Sequence, residues 1–143
     1  MRIIGLAIAL ALVALAAGEL VAFIDVPSAL VVFGLTLGGL IFSRAGIVNM
    51  FSASFAADDS GEELDSAARG WAQAKSYVIA AGFIGTIIGM VIMLKNVSVD
   101  EMSVLGPGTA LAVLTILYGL ITAYCVCLPM QKRLEDRAHE LAH

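Results

Sequence analysis

The feature that most constrains this chain is its series of long uncharged runs. They cover residues 3–18, 26–43, 45–57, 76–94 and 102–130. A helix needs about 20 mostly apolar residues to cross a bilayer core about 30 Å thick. Because apolar character resumes after Glu19, the first run is long enough as well. We therefore predict four transmembrane helices, over about residues 3–24, 27–43, 76–95 and 107–129.

The overall composition agrees with a membrane protein. Hydrophobic residues make up 60 % of the 143 residues and charged residues only 14 %, with a mean hydropathy of +0.96. Soluble domains are about half apolar and a quarter charged. We predict an all-α membrane protein whose residues 1–143 form a single membrane domain. The opening apolar segment is too long for the core of a signal peptide, so we interpret it as a retained span.

The basic residues predict an orientation. Seven of the eight fall on one side of a four-span topology, namely Arg2, Arg44, Arg69, Lys75, Lys132, Arg133 and Arg137, and only Lys95 falls on the other. Positive residues concentrate on the cytoplasmic side. We expect both termini in the cytoplasm, together with a loop at 44–75 and a charged, helical tail at 130–143.

The middle loop and the starts of the spans carry local signals. Asp25 and Pro27 are typical of the first turn of a helix, so the second span is expected to begin there. Ala45–Phe55 is either a continuation of that span or an interfacial helix. Asp58–Asp65 is expected to be a solvated acidic turn. After it, Ser66 is a candidate cap for the next helix and Trp71 a candidate membrane-interface anchor.

Glycines recur at helical spacing in two of the predicted spans. Gly34 and Gly38 lie four residues apart in the second, and Gly82, Gly85 and Gly89 follow at steps of three and four in the third. Small residues let helix backbones approach closely within a bilayer. Both sets are therefore predicted to be helix-packing faces, which assembly of several copies would bury.

The fourth span carries a mildly polar face. Thr115, Tyr118, Thr122 and Cys125 follow one another at steps of three and four residues, which places them on one side of a helix. Two interpretations stay open. In the first, the hydroxyl groups bond to carbonyls of their own helix; in the second, the face lines a wet path opposite the glycines of the third span.

Several functional classes are disfavoured. The sequence has no nucleophile, metal cluster or pair of acids at useful spacing, so we predict that it is not an enzyme and has no cofactor. Its net charge of −4 disfavours nucleic acid. The second, third and fourth spans contain no Asp, Glu or His, the residues that usually mark proton paths in membranes. If the protein conducts ions, a partner must supply the titrating group.

Four stretches carry a family likeness. "AFIDVPSALVVFGLTLGGLIFS", "GFIGTIIGMVIMLKN", "GPGTALAVLTILYG" and "LPMQKRLE" together resemble the MotA branch of the MotA/TolQ/ExbB family of ion-driven motor subunits. The resemblance implies a homopentamer in a bacterial inner membrane, around two single-span helices of a MotB, TolR or ExbD-like partner. In that family the partner's aspartate takes up the ion, and the third and fourth spans line the pore.

The resemblance also implies roles for individual residues. Thr86 matches the family's hydroxyl in the third span, Tyr118 and Gly119 match its "LYG" sequence, and Pro129 matches the proline at the cytoplasmic end of the fourth span. Together with the polar face, this predicts an ion pathway formed by Thr86, Thr115, Tyr118, Thr122 and Pro129. The rival hypothesis is a helical membrane scaffold that conducts nothing.

Three departures from the family pattern bear on mechanism. Thr115 is followed by Ile116 where related sequences have a second threonine, so one hydroxyl is lost. This favours protons over sodium, which needs several oxygen ligands. The family's proline early in the third span is replaced by Ile79. Finally, the loop at 44–75 is too short for the cytoplasmic domain of flagellar stators, so contact with a flagellar rotor is not expected.

Overall fold

The structure of the protein is a computed structural model that describes residues 24–55, 60–96 and 105–141. These residues form helices and no strands. The helices are α1 (Val26–Phe42), α2 (Ile47–Phe55), α3 (Gly61–Asn96), α4 (Leu105–Ile121), a π-helical segment (Thr122–Cys127) and α5 (Leu128–Leu141). The all-helical prediction is confirmed for this part of the chain. The first predicted span, residues 3–24, lies almost entirely outside it.

Two long helices have the length and apolarity needed to cross a membrane. One covers Gly61–Lys95 of α3, and the other runs unbroken over Gly108–Leu141 through α4, the π-helical segment and α5. The pair α1 and α2 passes the same test only if the two helices count as one broken span. The described residues therefore hold two or three candidate spans, as expected of a multi-pass membrane protein.

The start of α1 is formed as its sequence predicts. Asp25 is the N-cap, and its carboxylate accepts a 2.9 Å hydrogen bond from the backbone N–H of Ser28. Pro27 lies in the first turn, where its missing N–H costs nothing. The helix therefore begins within two residues of its predicted start.

A sharp bend separates α1 from α2. Arg44 has a φ of 52°, in the left-handed region, and the axes of the two helices differ by 103°. A residue with a side chain rarely adopts that conformation except in a turn. The bend rules out a straight continuation of the second span, which was one of the two interpretations of Ala45–Phe55.

The acidic turn predicted before α3 is wrong for the residues that the structure describes. Gly61–Asp65 form the first turn of the helix. The Ser60 hydroxyl accepts from the Glu63 N–H at 3.4 Å, and the Glu63 carboxylate accepts from the Ser60 N–H at 3.0 Å. This capping box satisfies helix-end donors, and the acidic side chains suit the positive end of the helix dipole. Ser66, the predicted cap, lies inside the helix.

One end of the molecule is a compact group of helices, which we call the basal cluster: α2, residues 61–75 of α3, and α5. Its core consists of large side chains that are at most 5 % exposed, namely Met50, Leu64, Trp71 and Leu134. The indole N–H of Trp71 donates to the Ser54 hydroxyl at 3.0 Å and to the Met50 carbonyl at 3.3 Å. Trp71 is therefore a buried packing residue, and its prediction as an interfacial anchor is wrong.

The helix of the fourth predicted span continues past Pro129 into α5. Proline has no N–H and crowds the carbonyl four residues before it. That carbonyl belongs to Cys125, which lies in the π-helical segment Thr122–Cys127. The wider π turns thus occur where the proline would disturb a regular α-helix. The charged tail is helical, as predicted.

Candidate functional site

The site is built on a very close crossing of α3 and α4. A Cβ atom added to Gly82 would lie 2.9 Å from the Thr115 carbonyl oxygen, and one added to Gly119 would lie 2.8 Å from the Val78 carbonyl oxygen. Because these neighbours are backbone atoms, neither could move aside without moving a helix. Only glycine at both positions lets the two backbones touch.

The other glycines of α3 lie along the same contact. A Cβ on Gly85 would meet the Thr115 side chain at 3.2 Å, and one on Gly89 would meet the Ala112 Cβ at 3.2 Å. The glycine face of the third predicted span therefore lies against the next helix of the same chain. We had expected assembly of several copies to bury it.

The glycines of α1 have a different environment. Within the described residues, no atom comes within 4 Å of a Cβ built on Gly34 or Gly38, and both residues are exposed. The structure therefore places no packing partner on this face of α1.

Two threonine hydroxyls meet where α3 and α4 cross. Thr86 and Thr115 are 5 % and 4 % exposed, and their Oγ1 atoms are 2.6 Å apart. Each hydroxyl also lies 2.7 Å from the Ala112 carbonyl oxygen, and that of Thr86 lies 3.0 Å from the Gly82 carbonyl oxygen. We call this arrangement the hydroxyl pair. It forms because glycines bring the two helices close enough for short side chains to touch.

The hydroxyl pair has more acceptors than donors. Its two hydrogens are taken up by the bond between the hydroxyls and by the Ala112 or Gly82 carbonyl. The two oxygens carry four lone pairs, and the mutual bond uses one of them. The spare lone pairs can accept from water or a hydrated proton, or contribute to the coordination of a cation. Thr86 and Thr115 do not themselves titrate.

A groove of about 380 Å³ reaches Thr115, one member of the hydroxyl pair. We call it the outer groove; it lies between α1, α3 and α4, and its lining includes Asp25, Val31, Gly85, Gly89, Leu111 and Thr115. Most of the wall is apolar. Among the described residues, Asp25 is the only acid in the lining, and Thr115 lines the same space. The structure thus connects the buried hydroxyl pair with an accessible cleft.

Tyr118 makes a different contact, which joins α4 to the start of α1. Its hydroxyl oxygen accepts a 2.9 Å hydrogen bond from the backbone N–H of Asp25. Tyr118 is half-buried, and the bond holds the start of α1 against α4. The sequence had indicated Asp25 only as a helix cap, because a contact across 93 positions leaves no local signal.

The last two predicted pathway residues do not join the hydroxyl pair. Thr122 lies two helical turns beyond Thr115, about 10 Å along the axis. It lines a second, apolar groove of about 380 Å³ under the bend between α1 and α2. Pro129 lies two further turns along, in α5. The structure thus brings Thr86 and Thr115 together, places Tyr118 one turn away, and separates Thr122 and Pro129.

The described residues offer no metal centre. Within 24–55, 60–96 and 105–141, no group of three His, Cys, Asp or Glu side chains could hold a metal ion.

The Ala112 carbonyl is the contributor to the site that the sequence analysis missed. A threonine three residues after a carbonyl often bonds back to it, so Thr115 carried that signal.

The fold and the site define a class: a multi-pass helical membrane protein with a buried hydroxyl pair beside a cleft between its spans. Comparison with known families agrees. The model of the MotA/TolQ/ExbB proton channel family matches residues 45–143, and the chain belongs to that family. The family is one of channel and stator proteins rather than enzymes.

Individual relatives point to the same branch. The chain is 34 % identical over 84 residues to motility protein A of Aquifex aeolicus, covering 59 % of this chain and 32 % of the relative. It is 43 % identical over 58 residues to chemotaxis protein PomA of Vibrio alginolyticus, covering 41 % and 22 %. It is 46 % identical over 56 residues to motility protein A of Cereibacter sphaeroides, covering 39 % and 21 %. The chain thus matches less than a third of the length of these relatives.

Proposed function

We propose that this protein is the channel subunit of an ion-driven motor in a bacterial inner membrane. In this proposal the chain has four spans and both termini in the cytoplasm. Five copies surround two single-span helices of a MotB, TolR or ExbD-like partner, whose acid takes up the ion. Ion flow then turns the ring around the partner or moves the partner.

The observation that carries the proposal is the hydroxyl pair at the end of the outer groove. Thr115 lines the mostly apolar wall of that groove, and the Oγ1 of Thr86, which is not part of the lining, lies 2.6 Å from the Oγ1 of Thr115. Such a pair can pass on or orient a proton donor but cannot hold the charge itself. It therefore needs an acid on a neighbouring helix, which agrees with a partner-supplied carboxylate.

We propose protons rather than sodium as the transported ion. The pair offers two hydroxyl oxygens and the adjacent Ala112 carbonyl. Sodium binding calls for several oxygen ligands, whereas a proton needs only a chain of hydrogen-bonding groups. Because two relatives are named motility protein A, we propose that the proton flow drives a motor.

We propose that the load is not a flagellar rotor. The segment between α1 and the membrane part of α3 contains only α2, the first turns of α3 and a short connection. It packs into the basal cluster through Met50, Leu64 and Trp71. A large domain reaching toward a rotor has no place in this loop.

A specific observation favours the rival scaffold hypothesis. Each hydroxyl of the pair lies within bonding distance of a carbonyl of its own helix, that of Gly82 for Thr86 and that of Ala112 for Thr115, so one can donate to its carbonyl while the other donates within the pair. Such bonds satisfy buried threonines without any transport role. Under this hypothesis, the pair only holds α3 against α4.

The deciding experiment is proton flux into liposomes that hold the protein together with its single-span partner. Thr86→Val and Thr115→Val keep the side-chain shape but remove the hydroxyl, so each should abolish flux. Thr86→Ser and Thr115→Ser should retain part of it. Thr36→Val is the matched control, because Thr36 is also buried and its hydroxyl bonds only to the Val32 carbonyl at 2.7 Å.

Assembly must be measured on the same samples. Native mass spectrometry should find five copies with two partner chains in the wild type and in each valine variant. Loss of flux from an intact assembly supports the channel. Unchanged flux in both valine variants would exclude a role for the hydroxyl pair in conduction, and a wild-type assembly without flux would favour the scaffold.

A further inference from the structure

The groove under the bend between α1 and α2, which we call the bend groove, has a volume of about 380 Å³ and an apolar wall. Its floor consists of buried side chains, including Met50, Trp71 and Val78. Phe33 and Leu37 of α1 also line it and are 46 % and 51 % exposed. The bend groove is therefore open at the surface of the molecule and reaches inward to Trp71.

Water is a poor occupant of the bend groove. A buried water molecule needs two to four polar partners, and the wall does not offer them. Thr36 lines the groove, but its hydroxyl donates to the Val32 carbonyl at 2.7 Å. An apolar cavity of about 150 Å³ stays dry and takes up benzene, and the bend groove is more than twice as large. Its chemistry fits a hydrocarbon chain.

The surface around the bend is apolar as well. Phe42 and Val48, on the two sides of the turn, are 91 % and 84 % exposed. Large exposed apolar residues mark contact with another protein or with a membrane. Because the axes of α1 and α2 differ by 103°, α2 runs nearly along the membrane surface when α1 crosses the bilayer, as interfacial helices do. The bend is therefore at the level of lipid headgroups.

A basic residue lies next to the bend groove. Arg44 is in the turn between Leu40 and Ile47, which both line the groove. Its side chain is exposed, and within residues 24–55, 60–96 and 105–141 its guanidinium makes no ion pair or hydrogen bond. Arginine can bind a phosphate through two parallel hydrogen bonds. A phosphate-binding side chain thus adjoins a groove that fits a hydrocarbon chain.

We infer that the bend groove binds an anionic phospholipid, with an acyl chain against Trp71 and the phosphate at Arg44. A headgroup without a cation of its own is favoured, because it leaves the phosphate free for the guanidinium. Basic pockets between membrane helices bind anionic headgroups on the cytoplasmic side, and in the orientation proposed above Arg44 lies on that side. The inference does not depend on ion conduction or on the number of copies in the assembly.

Tryptophan fluorescence tests the inference, because Trp71 is the only tryptophan in the chain. Bromine atoms on an acyl chain quench tryptophan only at short range. The full chain is reconstituted into vesicles of equal amounts of phosphatidylglycerol and phosphatidylcholine. In one set only the phosphatidylglycerol carries bromine on its acyl chains, and in the other only the phosphatidylcholine does, so both sets have the same surface charge. We expect brominated phosphatidylglycerol to quench Trp71 about threefold more strongly.

Three variants separate the headgroup contact from general charge. Arg44→Gln should make quenching by the two brominated lipids equal, whereas Arg44→Lys keeps the charge and should retain part of the preference. Arg133→Gln is the matched control, because Arg133 is also exposed but does not line the groove; it should leave the preference unchanged. An unchanged emission maximum of Trp71 in vesicles without bromine verifies that each variant keeps the groove intact.

Three results would overturn the inference. Absence of quenching by either brominated lipid would mean that the bend groove is closed to lipid and holds another protein segment. Equal quenching by both lipids in the wild type would mean that acyl chains enter without recognition of the headgroup. Equal loss of the preference in Arg133→Gln and Arg44→Gln would assign it to the general charge of the surface.

Discussion

The two halves of α3 are packed by opposite means. Residues 76–96 meet α4 through glycines and short hydroxyl side chains, with backbone against backbone at Gly82 and Gly119. Residues 61–75 meet α2 and α5 through large side chains, with Trp71 and Met50 at the centre. The first contact is fixed because backbones cannot rotate away from each other. The second can adapt because flexible side chains fill the space.

The difference concerns function as well as packing. A hydroxyl pair with a 2.6 Å separation tolerates little movement between its helices. The rigid half of α3 holds that pair, and the adaptable half forms the basal cluster. The proposed pathway thus lies in the part of the helix where the geometry is best defined. The same substitution made in each half should therefore change the stability of the protein by different amounts.

The largest expected effect comes from adding one methyl group in the rigid half. Gly82→Ala and Gly119→Ala each place a Cβ within 3 Å of a backbone oxygen, so α3 and α4 must separate. Overpacking costs about 1–3 kcal/mol, and we expect the upper part of that range. Thermal unfolding in detergent measures the loss. Gly61→Ala is the control, since nothing lies near its Cβ position; equal melting temperatures for all three variants would contradict the comparison.

A smaller effect is expected from the hydrogen bond that joins α1 to the rigid half. Tyr118→Phe removes the acceptor for the Asp25 N–H. A lost hydrogen bond of this kind costs about 1 kcal/mol. Hydrogen exchange at the first turn of α1 should become faster, while the exposed Tyr124, changed to Phe, should leave it unchanged. Slow exchange in the Tyr118 variant would mean that α1 is held by packing alone.

Gly70→Ala is the matching glycine substitution in the adaptable half. It should lower the free energy of unfolding by less than the substitutions at Gly82, Gly119 and Tyr118. In Gly70→Ala the new Cβ would overlap the Cγ and Sδ atoms of Met50, so this side chain would have to change rotamer. Methionine is unbranched and can change rotamer, so we expect a loss below about 1 kcal/mol. Thermal unfolding beside Gly82→Ala tests this directly. A cost as large as that of Gly82→Ala would show the basal cluster to be equally rigid.

The smallest effect is a pH dependence at the surface of the basal cluster. Hydrogen bonds from Lys132 and Gln131 hold the pKa of Glu135 below its ordinary 4.5. A lowered pKa stabilises the fold above pH 4.5, and this contribution is lost as the pH falls through the lowered value. Glu135 is only half-buried and its partner Lys132 is exposed, so solvent weakens the interaction and we expect a few tenths of a kcal/mol. The stability difference between wild type and Glu135→Gln should be present at pH 6 and smaller at pH 3.

The predictions from sequence succeeded where a signal is local. The α1 cap at Asp25 and the helical tail after Pro129 depend on neighbouring residues, and both are present. The wrong predictions concern residues whose surroundings are set elsewhere in the chain. Trp71 was predicted to be an interfacial anchor because tryptophan is enriched at membrane interfaces. In the structure its indole N–H donates instead to Ser54, 17 positions earlier. The acidic run before α3 was interpreted by charge alone, although Ser60 and Glu63 form a capping box.

For the candidate site, too, the sequence predicted the local pattern but not the contact between helices. The spacing of three and four residues predicted that Thr115, Tyr118 and Thr122 lie on one face of a helix. In the structure they lie on successive turns of one continuous helix. Spacing could not tell which of them meets Thr86. Thr115 does, because the crossing of Gly82 and Gly119 sets the level at which the two helices touch.

The sequence by itself determined that this protein is helical and belongs in a membrane, because uncharged runs of about 20 residues leave the backbone no other way to satisfy its hydrogen bonds in lipid. Only the tertiary structure decided which glycines are contacts and which are open. Gly82 and Gly38 carry the same side chain, a single hydrogen, and no local pattern separates them. Their difference arises from where α4 crosses α3, a contact between residues more than 30 positions apart in the chain.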